Sequence, residues 1–163
     1  MHLLTIGEIP QMASETWPKS DVCNCLALRQ AARHVTQFYD QFLAEVGLRT
    51  TQFSILAKLR RLGPLSINAL AKELVMDRTT LGRNILPLQR AGLIAVVKGR
   101  TDRRSKELQL SDTGLERLRN AVKGWTRAQM EFESAFGGER TLELRGLLHA
   151  VSATELGSVG SPA

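Results

Sequence analysis

The chain has 163 residues, with 22 lysines and arginines against 16 aspartates and glutamates, which gives a formal net charge of +6. Apolar residues make up 43% and charged residues 23%, a globular composition that excludes a mostly disordered chain. The longest apolar runs have five residues, as at 93–97, which excludes a membrane-spanning helix. The N-terminus has no signal-peptide pattern, and we therefore expect a cytoplasmic protein without a membrane partner.

The surplus of positive charge lies in the middle of the chain. Between Ser54 and Leu110 there are twelve basic and four acidic residues, a surplus of eight, so the flanks together carry −2. A basic segment between near-neutral flanks is typical of a module that binds a polyanion. On charge alone, a solvated basic face without a partner is as well supported as a polyanion-binding module.

Two helices are predicted in the first third of the chain. Residues 1–20 mix glycine, proline, serine and polar residues without a period, and we expect a loose arm there. From Asp21 apolar residues recur at helical spacing as far as Gly47, which is placed to end the helix. A second helix is expected from about Thr51 to Gly63.

A helix-turn-helix is predicted next. Ser66 caps a short helix, and a second helix runs from about Asp77 to Arg90, so the two must cross steeply. Arginine can bind guanine, threonine a thymine methyl group or a phosphate, and asparagine adenine. The outward positions of the second helix therefore form a predicted DNA-reading face, which consists of Arg78, Thr79, Thr80, Arg83, Asn84 and Arg90.

Two short strands follow, from Leu93 to Lys98 and from Lys106 to Leu110, with a polar tip between them. Strands after a helix-turn-helix make a winged helix. A guanidinium fits a narrow minor groove, so Arg100, Arg103 or Arg104 is predicted to enter it, with Lys98 and Lys106 on flanking phosphates. Protection of a strand edge is the alternative, but five basic residues within 98–106 exceed what that needs.

A long helix is expected from Ser111 to about Phe136, with a near-heptad apolar stripe that is interrupted at Gln129. A last helix follows at about 140–151. One short domain cannot easily bury these helices together with the first one, so we expect a homodimer. A purely intramolecular bundle is the alternative.

The predicted fold class is mainly α with a small β-hairpin wing, that is, a winged helix-turn-helix with N- and C-terminal dimerisation helices. The expected organisation is a loose arm at 1–20, a dimerisation helix at 21–50, a DNA-binding domain at 51–111, dimerisation helices at 112–156 and a frayed tail at 157–163.

Several segments in this order resemble the MarR family of dimeric winged-helix regulators. They are 47–53 (GLRTTQF), 74–83 (LVMDRTTLGR), 88–94 (LQRAGLI), 102–104 (DRR) and 108–114 (LQLSDTG). The likeness extends over about residues 23–148. Each segment alone is weak evidence for the family, but the five segments in this order are specific.

This resemblance implies a triangular homodimer that binds pseudo-palindromic operators near its own gene. It also implies that Arg104 enters the minor groove and that Asp102 orients it. The chain departs from the family at Gly82, where a polar residue is usual. Glycine removes one possible base contact there and costs roughly 1 kcal/mol of helix propensity.

The two cysteines, Cys23 and Cys25, lie near the start of the first helix. Residues two apart on a helix point roughly 200° apart, so the two thiols are not expected to bridge while the helix is intact. In hydroperoxide-sensing members of the family a reactive cysteine lies near this position, so the resemblance leaves a redox role open. Burial as small apolar residues is the alternative.

Many members of the family bind small aromatic or lipophilic acids, and the resemblance therefore implies an effector pocket. The residues proposed for it are Trp17, Arg33, His34, Phe38 and Phe53, although aromatic residues at helical spacing also suit a plain core.

Neither a metal nor a cofactor is expected, because no cysteine or histidine spacing suits a metal site and no glycine-rich phosphate loop occurs. An enzyme is not expected either, since no histidine and acid accompany the cysteines. The predicted function is a DNA-binding repressor that a small-molecule effector releases. Two alternatives are a peroxide-sensing repressor that uses Cys25 or Cys23, and a winged helix that binds another protein.

Overall fold

The computed structural model describes residues 22–157. The predicted arm at 1–20, Trp17, Asp21 and the end of the predicted tail lie outside these residues. The chain divides into two compact units, one up to Val35 and one from Thr36 onward. The described residues form six α-helices and a two-stranded antiparallel sheet, which confirms the predicted fold class. None of these helices is long and apolar enough to cross a membrane.

The first helix, α1 (Asn24–Leu43), continues into one turn of 3₁₀-helix at Ala44–Val46. Gly47 ends it with φ of 68°, a left-handed conformation that suits glycine and confirms its predicted role. The helix begins three residues later than expected, because the Cys23 carbonyl accepts the N–H of Ala27.

Three short helices follow: α2 (Thr50–Leu62), α3 (Ile67–Glu73) and α4 (Arg78–Arg90). The predicted cap of α3 is confirmed, since Ser66 Oγ accepts the N–H of Ala69 at 3.2 Å. Asp77 caps α4 in the same way, because its Oδ1 accepts the N–H of Thr80 at 2.8 Å. Between α3 and α4, Val75 has φ of 50°. The chain therefore turns sharply enough for α3 and α4 to form a helix-turn-helix.

The wing consists of β1 (Ile94–Lys98) and β2 (Lys106–Leu110), as predicted. In the antiparallel register, Ile94 lies opposite Leu110 and Lys98 lies opposite Lys106. Leu65, which follows α2, adds an isolated bridge to β2: its N–H donates to the Leu108 carbonyl at 3.1 Å, and the Leu108 N–H donates back at 2.7 Å. The wing is therefore joined to the helix-turn-helix through backbone hydrogen bonds.

One hydrophobic core holds these elements together. Leu81, Ile85 and Leu88 form the buried face of α4. They join leucines of α2 and α3 and the first residues of the wing. The largest fully buried side chains are Leu43, Ile55, Leu56, Leu59, Leu70, Leu81, Leu88 and Leu93.

The long helix α5 (Asp112–Phe136) begins at a close junction with the wing. Its cap Ser111 accepts the N–H of Gly114 at 3.0 Å and donates its hydroxyl to the Gly92 carbonyl at 2.6 Å. A Cβ on Gly114 would overlap the Leu93 carbonyl, so the junction needs a glycine there.

The interruption of the α5 stripe at Gln129 is explained by Tyr39 of α1, whose hydroxyl donates to Gln129 Oε1. Burial raises the pKa of the Tyr39 hydroxyl above its ordinary value of 10.0, which favours the protonated donor. A buried tyrosine hydroxyl needs such a partner, and a leucine at position 129 could not supply it.

The last helix, α6 (Gly138–Ala153), keeps most of its apolar side chains exposed in the single chain. Leu142 is 65% exposed and Leu147 is 59% exposed. Thr141 is its buried residue.

Two glycines inside helices are expected to respond oppositely to alanine. A Cβ at Gly124 of α5 would meet the carbonyl of Phe42, so Gly124→Ala is expected to cost about 1–3 kcal/mol of unfolding free energy. At Gly82 of α4 nothing lies within 4 Å, so Gly82→Ala is expected to stabilise by about 0.5–1 kcal/mol. Urea unfolding of wild type, Gly124→Ala and Gly82→Ala measures both changes in unfolding free energy. Equal changes in the two variants would contradict the close approach of α1 and α5 at Gly124.

Candidate nucleic-acid interface

The outward face of α4 carries the residues that the sequence predicts for base reading. Arg78, Thr79, Thr80, Arg83 and Arg90 are exposed. Asn84 differs, because it is half-buried and its Nδ2 donates to the carbonyl of Thr80 at 2.9 Å. The exposed face therefore offers three guanidinium groups along the helix and two threonine hydroxyls in its first turn.

Asp77 fixes the start of this face. Hydrogen bonds from the side chain and then the backbone N–H of Thr80 hold the pKa of Asp77 below its ordinary value of 3.8. The carboxylate is thus charged at neutral pH and lies where the N-terminal end of the helix dipole favours negative charge. It holds Arg78 and Thr79 in the first turn of the reading helix.

The wing tip, residues 99–105, is closed by its own hydrogen bonds. Asp102 Oδ1 accepts the backbone N–H of Arg104 at 2.9 Å, and the Asp102 carbonyl accepts the Ser105 hydroxyl at 2.6 Å. A Cβ on Gly99 would lie 2.5 Å from that carbonyl, so only glycine allows this turn. Asp102 thus orders the backbone that carries Arg104.

The arginines of the tip have different surroundings. Arg103 and Arg104 are exposed, and neither has an ion pair within 4 Å among residues 22–157. Arg100 is exposed as well, with 68% of its side chain accessible, but its guanidinium also contacts the protein: its Nη2 donates to the Pro64 carbonyl at 3.4 Å, and its Nε is 3.6 Å from Glu107 Oε2. All three guanidinium groups of the tip are therefore open to solvent, and that of Arg100 has two contacts within the protein in addition.

Lys98 and Lys106 are directly opposite each other in the hairpin, and both are exposed. Like charges at opposite positions of an antiparallel pair destabilise the sheet. The base of the wing thus concentrates positive charge that no acidic side chain neutralises within 4 Å in the described part of the chain.

A second feature is a cavity of about 430 Å³ beside α2 and α5. Phe53 and Trp125 stack there with ring centroids 6.0 Å apart. Lys58 also lines the cavity, and its ammonium lies 3.0 Å from Glu73 of α3. The complete lining is Phe53, Ser54, Ala57, Lys58, Arg61, Leu74, Val122 and Trp125.

Of the predicted effector residues, Phe53 lines this cavity. Phe38 packs edge-on against Tyr39 and Phe42 and is not part of the lining. Arg33 and His34 are exposed on α1 in the N-terminal unit. Sequence reasoning did not predict Trp125 or Lys58 as lining residues; Lys58 was counted only as one of the twelve basic residues between Ser54 and Leu110.

Both cysteines are exposed at the start of α1. Cys23 precedes the helix and its Sγ accepts the N–H of Leu26 at 3.4 Å, while Cys25 is the second residue of the helix. The predicted redox role remains a prediction. Within residues 22–157 no three acidic, histidine or cysteine side chains are grouped so that they could hold a metal ion.

Comparison with known proteins gives a consistent result. The model of the MarR family matches residues 48–106. The HTH-type transcriptional regulator PecS of Dickeya dadantii (strain 3937) is 27% identical over 154 residues, which cover 91% of this chain and 93% of PecS.

Solved structures are similar over most of the chain. The M. tuberculosis transcriptional regulator MosR in complex with DNA is 35% identical, with a TM-score of 0.68 over 82% of this chain and 99% of that one. The transcriptional repressor CouR bound to a 23-mer DNA duplex is 26% identical, with a TM-score of 0.72 over 80% of this chain and 92% of CouR. These relatives are named as regulators of transcription and not as enzymes.

Proposed function

The chain belongs to the MarR family and is a transcriptional regulator that binds DNA, and we propose that it is a homodimeric repressor released from a pseudo-palindromic operator by a small-molecule effector. The observation that carries this proposal is the pairing of an exposed arginine and threonine face on α4 with a wing tip that presents Arg103 and Arg104. The CouR structure is that of a repressor, which supports repression as the mode of action.

In this proposal α4 lies in the major groove. Arg78 and Arg83 contact guanine edges or phosphates, and Thr79 and Thr80 contact a thymine methyl group or a phosphate. Arg90, at the far end of the helix, contacts the DNA backbone. Asn84 is half-buried and one of its Nδ2 hydrogens is donated to the Thr80 carbonyl, so it is the residue of this face with the most restricted reach towards adenine.

The wing tip enters the adjacent minor groove. Arg104 is the inserted residue, since Asp102 fixes its backbone and its side chain is exposed. A narrow A·T-rich groove has the enhanced negative potential that favours a guanidinium. Lys98 and Lys106 contact the flanking phosphates, which relieve the repulsion between them.

Segments 21–50 and 112–156 supply the dimer helices, and 51–111 forms the DNA-binding domain. The support is the exposed apolar surface of α5 and α6, which includes Met130, Leu142, Leu147 and Val151. An apolar surface of this kind is expected to be covered by a partner. A two-fold dimer presents its reading helices to half-sites about one DNA turn, ~34 Å, apart.

The effector site in this proposal is the cavity beside Phe53 and Trp125. Stacked aromatic rings suit a planar lipophilic molecule, and Lys58 and Arg61 suit an acidic group on it. Lys58 also holds Glu73 at the end of α3. An acid that draws Lys58 away from Glu73 would loosen the helix-turn-helix, and this gives release a physical route.

DNA binding is tested with an operator selected from genomic fragments by the wild-type protein. We expect a log–log salt slope near −0.9 per phosphate contact and a specific-over-nonspecific affinity ratio of at least ~10³. Arg104→Ala is expected to cost about 1–3 kcal/mol of binding free energy without lowering the melting temperature. Arg60→Ala removes the same charge from an exposed position of α2, outside the proposed DNA contacts and the dimer helices, and is expected to bind normally; equal losses in the two variants would contradict the minor-groove role.

The dimer is tested on α6. Leu147→Glu places a charge on the exposed apolar surface and is expected to give monomers that bind the operator weakly, as measured by sedimentation and by titration with DNA. Leu156→Glu is the matched control, because Leu156 is 78% exposed and lies beyond the end of α6. A dimeric Leu147→Glu protein would exclude this part of α6 from the interface.

The effector site is tested with benzoate against benzyl alcohol, which has the ring without the charge. In a Trp17→Phe background Trp125 is the remaining tryptophan, so its fluorescence reports on the cavity. Benzoate is expected to quench it and to weaken operator binding, and Lys58→Met is expected to reduce both effects. Release of DNA with no change in Trp125 fluorescence would place the effector elsewhere.

A further inference from the structure

Glu107 of β2 contains a buried oxygen that requires a partner. Its side chain is 16% exposed, and its Oε2 has no hydrogen-bond partner among the described residues. The cation within 4 Å of it is Arg100, at 3.6 Å. A buried carboxylate oxygen without a compensating charge costs free energy. Arg100 supplies that charge from the surface, since its own side chain is 68% exposed.

The same guanidinium has a second contact outside the wing. Arg100 Nη2 donates to the carbonyl of Pro64, which lies in the turn between α2 and α3. The next residue, Leu65, forms the backbone bridge to Leu108. Arg100 therefore links the tip of the wing to Pro64, the residue that precedes the backbone bridge at Leu65.

Arg100 belongs to the tip itself, so its contact with Pro64 acts directly on the tip. Gly99 and Ser105 close the tip through a backbone hydrogen bond of 2.9 Å, and Arg100 is the first residue within that closed turn. The turn has no hydrogen bond of its own to the helix-turn-helix other than the Arg100 contact, among residues 22–157. A rotation of the tip about the ends of the strands is thus resisted by Arg100.

We infer that Arg100 is a positioning residue for DNA binding: paired with Glu107 and bonded to Pro64, it holds the wing tip at a fixed orientation to the helix-turn-helix, so that Arg104 meets the minor groove while α4 is in the major groove. This inference rests on the proposed placement of the wing in the minor groove. It replaces the direct groove contact that the sequence predicts for Arg100.

The positioning role of Arg100 and simple electrostatics predict opposite changes in DNA affinity for Glu107→Gln. Glu107→Gln removes a negative charge beside the DNA-binding surface, so electrostatic attraction alone would tighten binding to a polyanion. Loss of the Arg100 partner would instead free the tip and weaken binding to the operator. The sign of the change separates the two effects.

The experiment measures the affinity of wild type, Glu107→Gln, Arg100→Met and the double variant for the selected operator. Two duplexes are used, with A·T-rich or G·C-rich base pairs where the wing meets the groove. We expect each single variant to bind the A·T-rich duplex roughly tenfold more weakly, the loss of about one contact per half-site. We also expect both to lose the preference for A·T-rich flanks, and the double variant to bind no more weakly than either single one.

Two controls isolate the effect. Glu116→Gln makes the same change of charge on α5, where Glu116 is exposed and has no ion pair within 4 Å among the described residues, and it is expected to bind at least as tightly as wild type. Arg100→Lys keeps the charge and is expected to recover part of the preference for A·T-rich flanks. Melting temperatures show whether each variant is folded at the temperature of the assay.

Three results would overturn the inference. If Glu107→Gln binds as tightly as wild type while Arg100→Met weakens binding and lowers the salt slope by about 0.9, Arg100 contacts a phosphate directly. If neither variant changes affinity or flank preference, Arg100 has no role in binding. If the wild-type protein itself shows no flank preference and Arg104→Ala binds normally, the proposed wing contact fails first and this inference fails with it.

Discussion

The two backbone hydrogen bonds between Leu65 and Leu108 are the interaction on which the DNA-binding surface depends. They join the segment after α2 to the second strand of the wing, so that the reading helix and the wing become parts of one body. The buried leucines of α2, α3 and α4 then fix α4 against that body. The proposed contact with two grooves at once needs this rigidity, because fixing a freely moving wing on binding would cost conformational entropy.

Positive charge and apolar surface lie on different parts of the chain. The surplus of eight positive charges lies between Ser54 and Leu110, and the remainder carries −2. Within the basic part, the opposed pair Lys98 and Lys106 lowers the stability of the free protein, which is a cost that a DNA partner offsets. In the proposed dimer, the exposed leucines of α6 contact a second copy of the chain. The junction at Ser111 and Gly114 joins the two parts without a linker, so the position of α5 in a dimer determines the position of the reading helix.

Most of the fold is predictable from the sequence because its signals are local. Glycines at the helix ends, Ser66 and Asp77 as caps, and the change from helical to alternating periodicity after Gly92 each act within a few residues. The features that sequence reasoning missed depend on residues far apart in the chain. Gln129 interrupts the α5 stripe because of Tyr39, ninety residues away. Arg100 turns towards Pro64 and Glu107, and Trp125 stacks on Phe53, and neither contact has a signature in local spacing.

In the proposed complex, two copies of this chain bind successive turns of DNA, each with a helix in the major groove and a wing in the minor groove. Hydroxyl-radical cleavage of the selected operator tests it most directly, because the radical attacks the backbone from the minor groove. We expect two protected regions related by two-fold symmetry, with half-site centres about one turn, ~34 Å, apart and minor-groove protection on the outer flank of each. A single protected region without symmetry, or the same pattern on a random duplex, would contradict this account.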